Sequence, residues 1–357
     1  MVRHRIAVIP GDGVGPEVTQ ESEKVLRFIA EHDPGIDFAL DHFPWGTDYY
    51  LETGEMMPSD ALEILRGYDA ILFGAVGSPK VKDSITLREL LLTIRFGFDQ
   101  YVNLRPVRLL PGVPSPLAGA KPEDLDMIFV REGVEGEYAG VGEFRDRGTE
   151  EEVALQTAVF SRRGTERVIR YAFELARGDG RTVTSVSKGN ALQYSGVLWD
   201  DVFDELAKEY PDVETHRLLV DAAAMFMVRE PQRFDVVVAS NLYADILTDL
   251  GAALMGGMGL APSANLDPSR EHPSMFEAIH GSAPDIAGKG LANPIGQLWS
   301  TAMMLDHLDH SGWGYALTHA IERTVVRSET RTPDLDGTAT TDEAGDAVIH
   351  GLRRAEV

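Results

Sequence analysis

Two aspartates four residues apart open the chemical reading of this 357-residue chain: Asp245 and Asp249, in Asn241-Leu-Tyr-Ala-Asp-Ile-Leu-Thr-Asp-Leu250. On a helix they share one face, about a turn apart. Apolar Ile246, Leu247 and Leu250 surround them, and a glycine-rich stretch, 251–259, follows. Two carboxylates on a half-buried face want a cation, and oxygen ligands alone favour Mg²⁺ or Mn²⁺ over zinc. Spacing alone weighs a metal site and a solvated acidic pair about equally. Asp221, in Leu219-Val-Asp-Ala-Ala-Ala-Met225, is a third carboxylate in apolar surroundings and a candidate third ligand. Three arginines, Arg95, Arg105 and Arg131, each follow an apolar segment, which brings a guanidinium to the end of a buried element. Its planar fork grips carboxylates bidentately. One such arginine is normally a structural ion pair; three together with a divalent cation suggest a small polycarboxylate. Tyr138 and Lys188 are candidates for proton transfer.

The elements that must position these groups read as alternating strands and helices. Apolar runs at 5–9, 69–76, 126–130, 182–186 and 234–239 predict strands, and helical spacing predicts helices over 16–30 and near 163–177, 197–209 and 242–254. Alternation of this kind predicts an α/β fold with substantially parallel sheet. The proline-rich stretch 103–121 cannot be a regular helix and reads as a crossing segment or domain joint. The first strand–helix turn, Gly11-Asp-Gly-Val-Gly-Pro16, places proline where a Rossmann fingerprint needs its third glycine, so it reads as a tight turn requiring positive φ. Gly288-Lys-Gly290 imitates a phosphate loop but lacks the following Ser or Thr. A nucleophile elbow, a His-Glu-x-x-His motif and internal repeats are missing, and His307 and His310 read as a solvated pair.

Composition bounds the function classes. Hydrophobic residues make up 43% and charged residues 25%, as in ordinary globular domains. The absence of cysteine excludes disulfides, thiolate metal sites and cysteine nucleophiles. A formal charge of −24 repels phosphate backbones and anionic lipid, so nucleic-acid and membrane partners are not expected, although a local arginine cluster can still bind a small anion. No apolar run reaches the ~18 residues a membrane span needs, and the N-terminus does not read as a signal peptide. A cytoplasmic protein is the expectation.

Five motifs, in order, resemble the β-decarboxylating hydroxyacid dehydrogenases, the family of isocitrate, 3-isopropylmalate, homoisocitrate and tartrate/D-malate dehydrogenases. They are Ile9-Pro-Gly-Asp-Gly-Val-Gly-Pro-Glu17, Tyr101-Val-Asn-Leu-Arg-Pro106, Val130-Arg-Glu-Gly-Val-Glu-Gly-Glu-Tyr138, the Asn241–Asp249 segment, and the run from Glu277-Ala-Ile-His280 to Asn293-Pro294. The resemblance implies two α/β domains sharing a sheet, an isopropylmalate dehydrogenase-like fold that is not a Rossmann fold. A large cofactor-binding domain would comprise 1–100 and 259–357, and a smaller domain, 101–258, would carry the dimer interface and the metal and substrate residues. It implies that Arg95, Arg105 and Arg131 hold substrate carboxylates. Asp245 and Asp249, with Asp221 from the partner of a homodimer, would bind Mg²⁺ or Mn²⁺. Lys188, also from the partner, would deprotonate the C2 hydroxyl, and Tyr138 would protonate the enolate left after CO₂ departs. K⁺ is a further cation to consider.

By the same resemblance Glu277, His280, Gly281, Ser282, Ala283, Asp285, Ile286 and Asn293 bind the nicotinamide cofactor. Asp285 can accept a ribose 2′-OH but repels a 2′-phosphate, which implies NAD rather than NADP. Within the family, Trp45-Gly-Thr-Asp-Tyr-Tyr50 and the stretch from Phe98 to Gly119 look most like the tartrate/D-malate branch. Arg88 and Leu91, ahead of Arg95, are the candidate contacts for the third substituent. Leu91-Leu92 and Ser187-Lys-Gly-Asn-Ala-Leu192 look more like isopropylmalate enzymes, and Arg88 either meets a third carboxylate, as in homoisocitrate, or sits on the solvent face, the two weighing about equally. The implied activity is NAD- and metal-dependent oxidative decarboxylation of a 2R-malate-type acid, D-malate or tartrate ahead of 3-isopropylmalate. A catalytically silent regulatory subunit is the rival outside enzymology; it would be favoured by loss of a metal aspartate, Tyr138 or Lys188, all of which are present.

Overall fold

In a computed structural model, residues 1–354 are described, and they divide into two compact α/β units. The first comprises Met1–Gln100, Arg108–Pro122 and the chain from Ala252 onward; the second comprises Tyr101–Val107 and Glu123–Gly251. The proline-rich stretch therefore does change units. Its 108–122 part groups with the first unit, not with 101–258 as expected from the family pattern, and so do residues 252–258. Hydrogen bonds explain this grouping: Ser115 Oγ donates to Leu254 O, and the Arg331 guanidinium donates to Gly112 O.

Among the described residues twelve strands run in chain order. The first unit begins with β1 (Val2–Gly11), β2 (Ile36–His42) and β3 (Ala70–Ala75). The second holds β4 (Val102–Arg108, all but its last residue), β5 (Asp126–Glu132), β6 (Gly136–Arg145), β7 (Val153–Val159), β8 (Val183–Ser187), β9 (Thr215–Leu219) and β10 (Val236–Ala239). The chain returns to the first unit for β11 (Pro262–Leu266) and β12 (Ser274–Ala278). In the first unit the strand order is β2-β1-β3-β12-β11, with β1, β2, β3 and β12 parallel and β11 antiparallel to β12. In the second it is β4-β5-β10-β8-β9, with β5, β10, β8 and β9 parallel.

Strands covered on both faces read as continuous apolar runs. Every residue of β3 and of β10 is buried, which is why both were visible in the sequence. The helix Gly15–His32, begun by Pro16 in its first turn, buries Val18, Val25, Leu26 and Ile29 as its spacing predicts. The helix Arg162–Asp179 buries Val168, Ile169, Ala172, Phe173 and Ala176 and packs on β5 and β10. At about 1.5–3 kcal/mol per fully buried large side chain, these stripes hold the strand ends in place. β6 and β7 are different. They form a separate antiparallel ribbon that leaves Val141, Phe144, Val153, Leu155 and Val159 exposed.

The glycines of the first turn are there for space and backbone sign. Gly11 (φ +69) and Gly13 (φ +60) would carry a Cβ 1.9 Å from Ala75 O and Ser282 O respectively. The phosphate-loop imitation is likewise internal: the N–H groups of Gly288 and Gly290 donate to the Glu17 carboxylate. His307 and His310 are not a solvated pair. His310 Nε2 lies 2.8 Å from His4 Nε2, and His307 is buried enough to push its pKa down to about 4.

Candidate active site

Arg131, Lys188, Asp221 and Asn241 lie at or just beyond the carboxyl ends of the parallel strands β5, β8, β9 and β10, where ligands of open α/β sheets bind. Register sets their positions. Ala239 of β10 pairs with Arg131 of β5, so the helix Asn241–Leu254, starting two residues later, begins beside the Arg131 side chain. Ser187 of β8 pairs with Leu219 of β9, which brings Lys188 and Asp221 together just beyond both strands.

Three predicted groups converge on one carboxylate. Asp245 Oδ1 accepts from Arg131 Nη1 and, at 3.3 Å, from Arg105 Nη1, while Asp245 Oδ2 accepts the Tyr138 hydroxyl at 2.9 Å. Both arginines are buried, 3% and 4% exposed, so their charges act with little solvent screening. Arg105 is held from behind by Asn103 Oδ1 (2.6 Å to Nε) and Thr248 Oγ1 (2.7 Å to Nη1). Burial first, then the Asp245 charge, raises the Tyr138 pKa and keeps its proton on oxygen. Asp249, one turn beyond Asp245, presents an exposed carboxylate that receives no hydrogen bond from the described residues; partial desolvation, then Asp245, raises its pKa.

Lys188 and Asp221 form an ion pair of their own, and that hydrogen bond lowers the Asp221 pKa. Asp221 does not join Asp245 and Asp249. Among the described residues, the metal-sized group of three acidic ligands is Glu21, Asp342 and Asp346, and the Lys24 ammonium already occupies its centre of charge with contacts to all three.

In the first unit Arg95 donates to Glu277 Oε1 at 2.7 Å, and Asn265 Nδ2 donates to the same oxygen. A residue expected at the substrate and one expected at the cofactor thus form a buried pair. Leu91 is buried in the core cluster with Ile94, Phe98 and Trp45, whereas Arg88 is exposed. The two lie on a single π-helical turn, Leu87–Leu92, and Thr93 Oγ1, just after it, donates back to Arg88 O. Isolated π-turns are uncommon and concentrate at functional sites.

The predicted cofactor segment follows β12 and packs against the first turn: Val14 N donates to Ser282 O at 2.8 Å. A cavity of about 480 Å³ is lined by Gly77, Ser78, Lys82, Gly281, Ser282 and Pro284. Beside it His280 is half-buried, desolvation lowers its pKa, and its buried Nε2 has no partner among the described residues. Asp285 and Gly281 are exposed, Ala283 adopts φ +39, Ile286 packs with Val14 and Val18, and Asn293 Nδ2 donates to Asp334.

Asn103, Thr248, Asn241 and Glu132 were missed as site residues. Asn103 lies two before Arg105, on the same strand face, and Thr248 lies three after Asp245, on the same helix face; those spacings were the available signal. Glu132 and Asn241 were legible only as neighbours within motifs.

A family model described as isocitrate/isopropylmalate dehydrogenase matches residues 5–348. The chain is 49% identical to D-malate dehydrogenase (decarboxylating) of Escherichia coli strain K12, covering 98% of this chain and 99% of that one. It is 48% identical to a probable tartrate dehydrogenase/decarboxylase of Bacillus subtilis strain 168 (99% of each) and 49% identical to 3-isopropylmalate dehydrogenase of Thermobifida fusca strain YX (96% of each). Among solved structures, isocitrate dehydrogenase from Methylococcus capsulatus superposes with a TM-score of 0.89 at 36% identity, covering 98% of this chain and all of that one.

Proposed function

Because this chain belongs to the isocitrate/isopropylmalate dehydrogenase family, we propose that it oxidatively decarboxylates a 2R-malate-type hydroxy acid, D-malate or tartrate, with NAD and a divalent cation. The observation that carries the reading is the convergence of Arg105, Arg131 and Tyr138 on Asp245. Two buried guanidinium groups suit a dicarboxylate, and a protonated phenol within reach of the same point suits a proton donor.

The donor set fits a hard cation. Asp245 and Asp249 offer oxygen ligands one helical turn apart, and Asp249 has no donor of its own among the described residues. Bound there, Mg²⁺ or Mn²⁺ supplies Lewis acidity toward the C2 oxygen and C1 carboxylate. The unpartnered, buried His280 Nε2 and the exposed Asp285 suit the adenosine half of NAD, which supplies the hydride acceptor. The chain's own work is then binding and proton transfer. Arg105 and Arg131 fix the carboxylates, with Arg95 a further carboxylate binder by family pattern. Tyr138 delivers a proton to C3 once CO₂ has left, and Lys188 takes the proton of the C2 hydroxyl. We assign Lys188 and Asp221 to the site of a second copy, since among the described residues their side chains form an ion pair with each other and Asp221 joins no metal-sized group with Asp245 and Asp249. Exposed Val141, Phe144, Leu155, Met225, Val228 and Ile246 give such a homodimer apolar surface to bury.

The test is NADH formation with Mn²⁺ across D-malate, the tartrates, 3-isopropylmalate, isocitrate and homoisocitrate, repeated with EDTA and with NADP. Preference for D-malate or tartrate, abolished by EDTA and weak with NADP, is the expected result. Absence of turnover with every acid refutes the reading and leaves a regulatory subunit. The second reading, 3-isopropylmalate, is favoured by Leu91 and the equal identity to the T. fusca enzyme. Preference for that acid would establish it.

A further inference from the structure

We propose that Asn241 is the positioning residue that ties Arg131 and Tyr138 to the helix carrying Asp245; the inference rests on the reading above. Asn241 is 2% exposed and is the first residue of the helix Asn241–Leu254. Its two amide ends do different jobs. Oδ1 accepts both Nε (3.1 Å) and Nη2 (2.7 Å) of Arg131, fixing the plane of that guanidinium and leaving Nη1 to reach Asp245. Nδ2 donates to Glu135 O at 3.0 Å. Glu135 lies in the turn between β5, which ends just past Arg131, and β6, which carries Tyr138. One side chain therefore holds both the substrate-binding cation and the segment bearing the proton donor, from a helix on which Asp245 stands one turn further along.

The surroundings leave that amide no freedom to flip. A guanidinium has only donors and a carbonyl only an acceptor, so exchanging O for N would break three hydrogen bonds at once. The turn is anchored on its other side as well. The Glu132 carboxylate accepts the backbone N–H groups of Val134 (3.0 Å) and Glu135 (2.7 Å), and Glu135 Oε2 accepts Ser161 N. Gly136 (φ +79) passes so near that a Cβ there would lie 3.3 Å from the Asn241 Cβ. Asn241 Nδ2 is thus the link between an otherwise braced turn and the metal-binding helix.

Asn241→Asp separates the two jobs. Its carboxylate still accepts the Arg131 fork but cannot donate to Glu135 O, whereas Asn241→Ala loses both. With D-malate, Asn241→Asp should keep KM within about threefold of wild type while kcat falls about tenfold or more, the cost of facing a carboxylate to the half-buried Glu135 carbonyl that has lost its donor. Decarboxylation of added oxaloacetate, which bypasses hydride transfer, should fall by the same factor. Asn241→Ala should in addition raise KM about tenfold. Asn241→Ser, which keeps a small polar group at the first helical position, replaces the alanine variant if that one does not fold. Thermal unfolding of each variant serves as the control. Equal losses in KM and kcat for both substitutions, tracking the loss of stability, would mean mere packing and overturn the proposal. So would an Asn241→Asp enzyme with wild-type kcat. Calorimetric binding of D-malate without cofactor reads the Arg131 half independently of turnover: about tenfold weaker in Asn241→Ala and near wild type in Asn241→Asp. If the wild-type protein turns over none of the acids, the functional reading fails; this binding contrast then upholds or overturns the Arg131 half.

Discussion

Glu132 offers a test of the site's scaffold that does not depend on turnover. Its carboxyl is almost wholly buried at the end of β5, and burial pushes its pKa from the ordinary 4.5 up to about 7, despite two backbone N–H donors. The sign follows from linkage. Between these two pKa values the folded state holds a proton that the unfolded chain has released, so stability is fully present below about pH 4.5 and is lost as pH rises through 7. A shift of roughly two and a half pKa units at 1.36 kcal/mol each makes that loss about 3 kcal/mol by pH 8 or so. Glu132→Gln removes the titration. It also turns an NH₂ toward one of the two backbone N–H groups, a pH-independent cost of about 1–3 kcal/mol. The variant should therefore be clearly less stable than wild type near pH 5 and should equal or overtake it near pH 8. Urea unfolding of both proteins across that range is the assay, because other titrating groups cancel in the difference. A stability difference that stays flat with pH, or that grows more unfavourable to the variant as pH rises, would refute the argument.

Three further outcomes follow from the geometry. Arg131→Lys replaces a fork with a point charge that cannot hold Asn241 Oδ1 and Asp245 Oδ1 together; kcat/KM for D-malate should fall about 30- to 100-fold, roughly 2–3 kcal/mol, with most of the loss in KM. Gly13→Ala puts a Cβ onto Ser282 O at a positive φ, so stability should drop by about 2–4 kcal/mol and KM for NAD should rise, both measured on the same preparation. Asp285→Lys combined with Ile286→Tyr exchanges an exposed carboxylate for a cation; the ratio of kcat/KM for NADP to that for NAD should increase at least about tenfold, and an unchanged ratio would place cofactor discrimination elsewhere.

The sequence and the folded chain divided the work along physical lines. Fully covered strands such as β3 and β10, and helices with a clean apolar stripe such as Gly15–His32, were legible because burial on a regular element leaves a periodic trace. β11 and β12 were not, since their buried positions include Ser263, Asn265, Ser274 and Glu277, polar groups satisfied by one another and by the adjoining helix. The ribbon of β6 and β7 was invisible for the opposite reason: it buries too little in one chain to leave a pattern. No helix of the described residues is long and apolar enough to cross a membrane.

The same division applies to the site. Residue types and short spacings determined the chemistry on offer: two aspartates one turn apart, arginines at strand and helix ends, and a turn whose proline excludes a dinucleotide fingerprint. Which groups meet was decided only by tertiary structure. Arg105, Arg131 and Tyr138 reach Asp245 across sequence separations of 140, 114 and 107 residues. No local pattern encodes such distances. They are fixed by the pairing of Ala239 with Arg131, a register enforced by burial on both faces of β10. The importance of Asn241 was hidden for the same reason: an amide shows its two-ended role only when a guanidinium and a carbonyl from distant segments stand on either side of it.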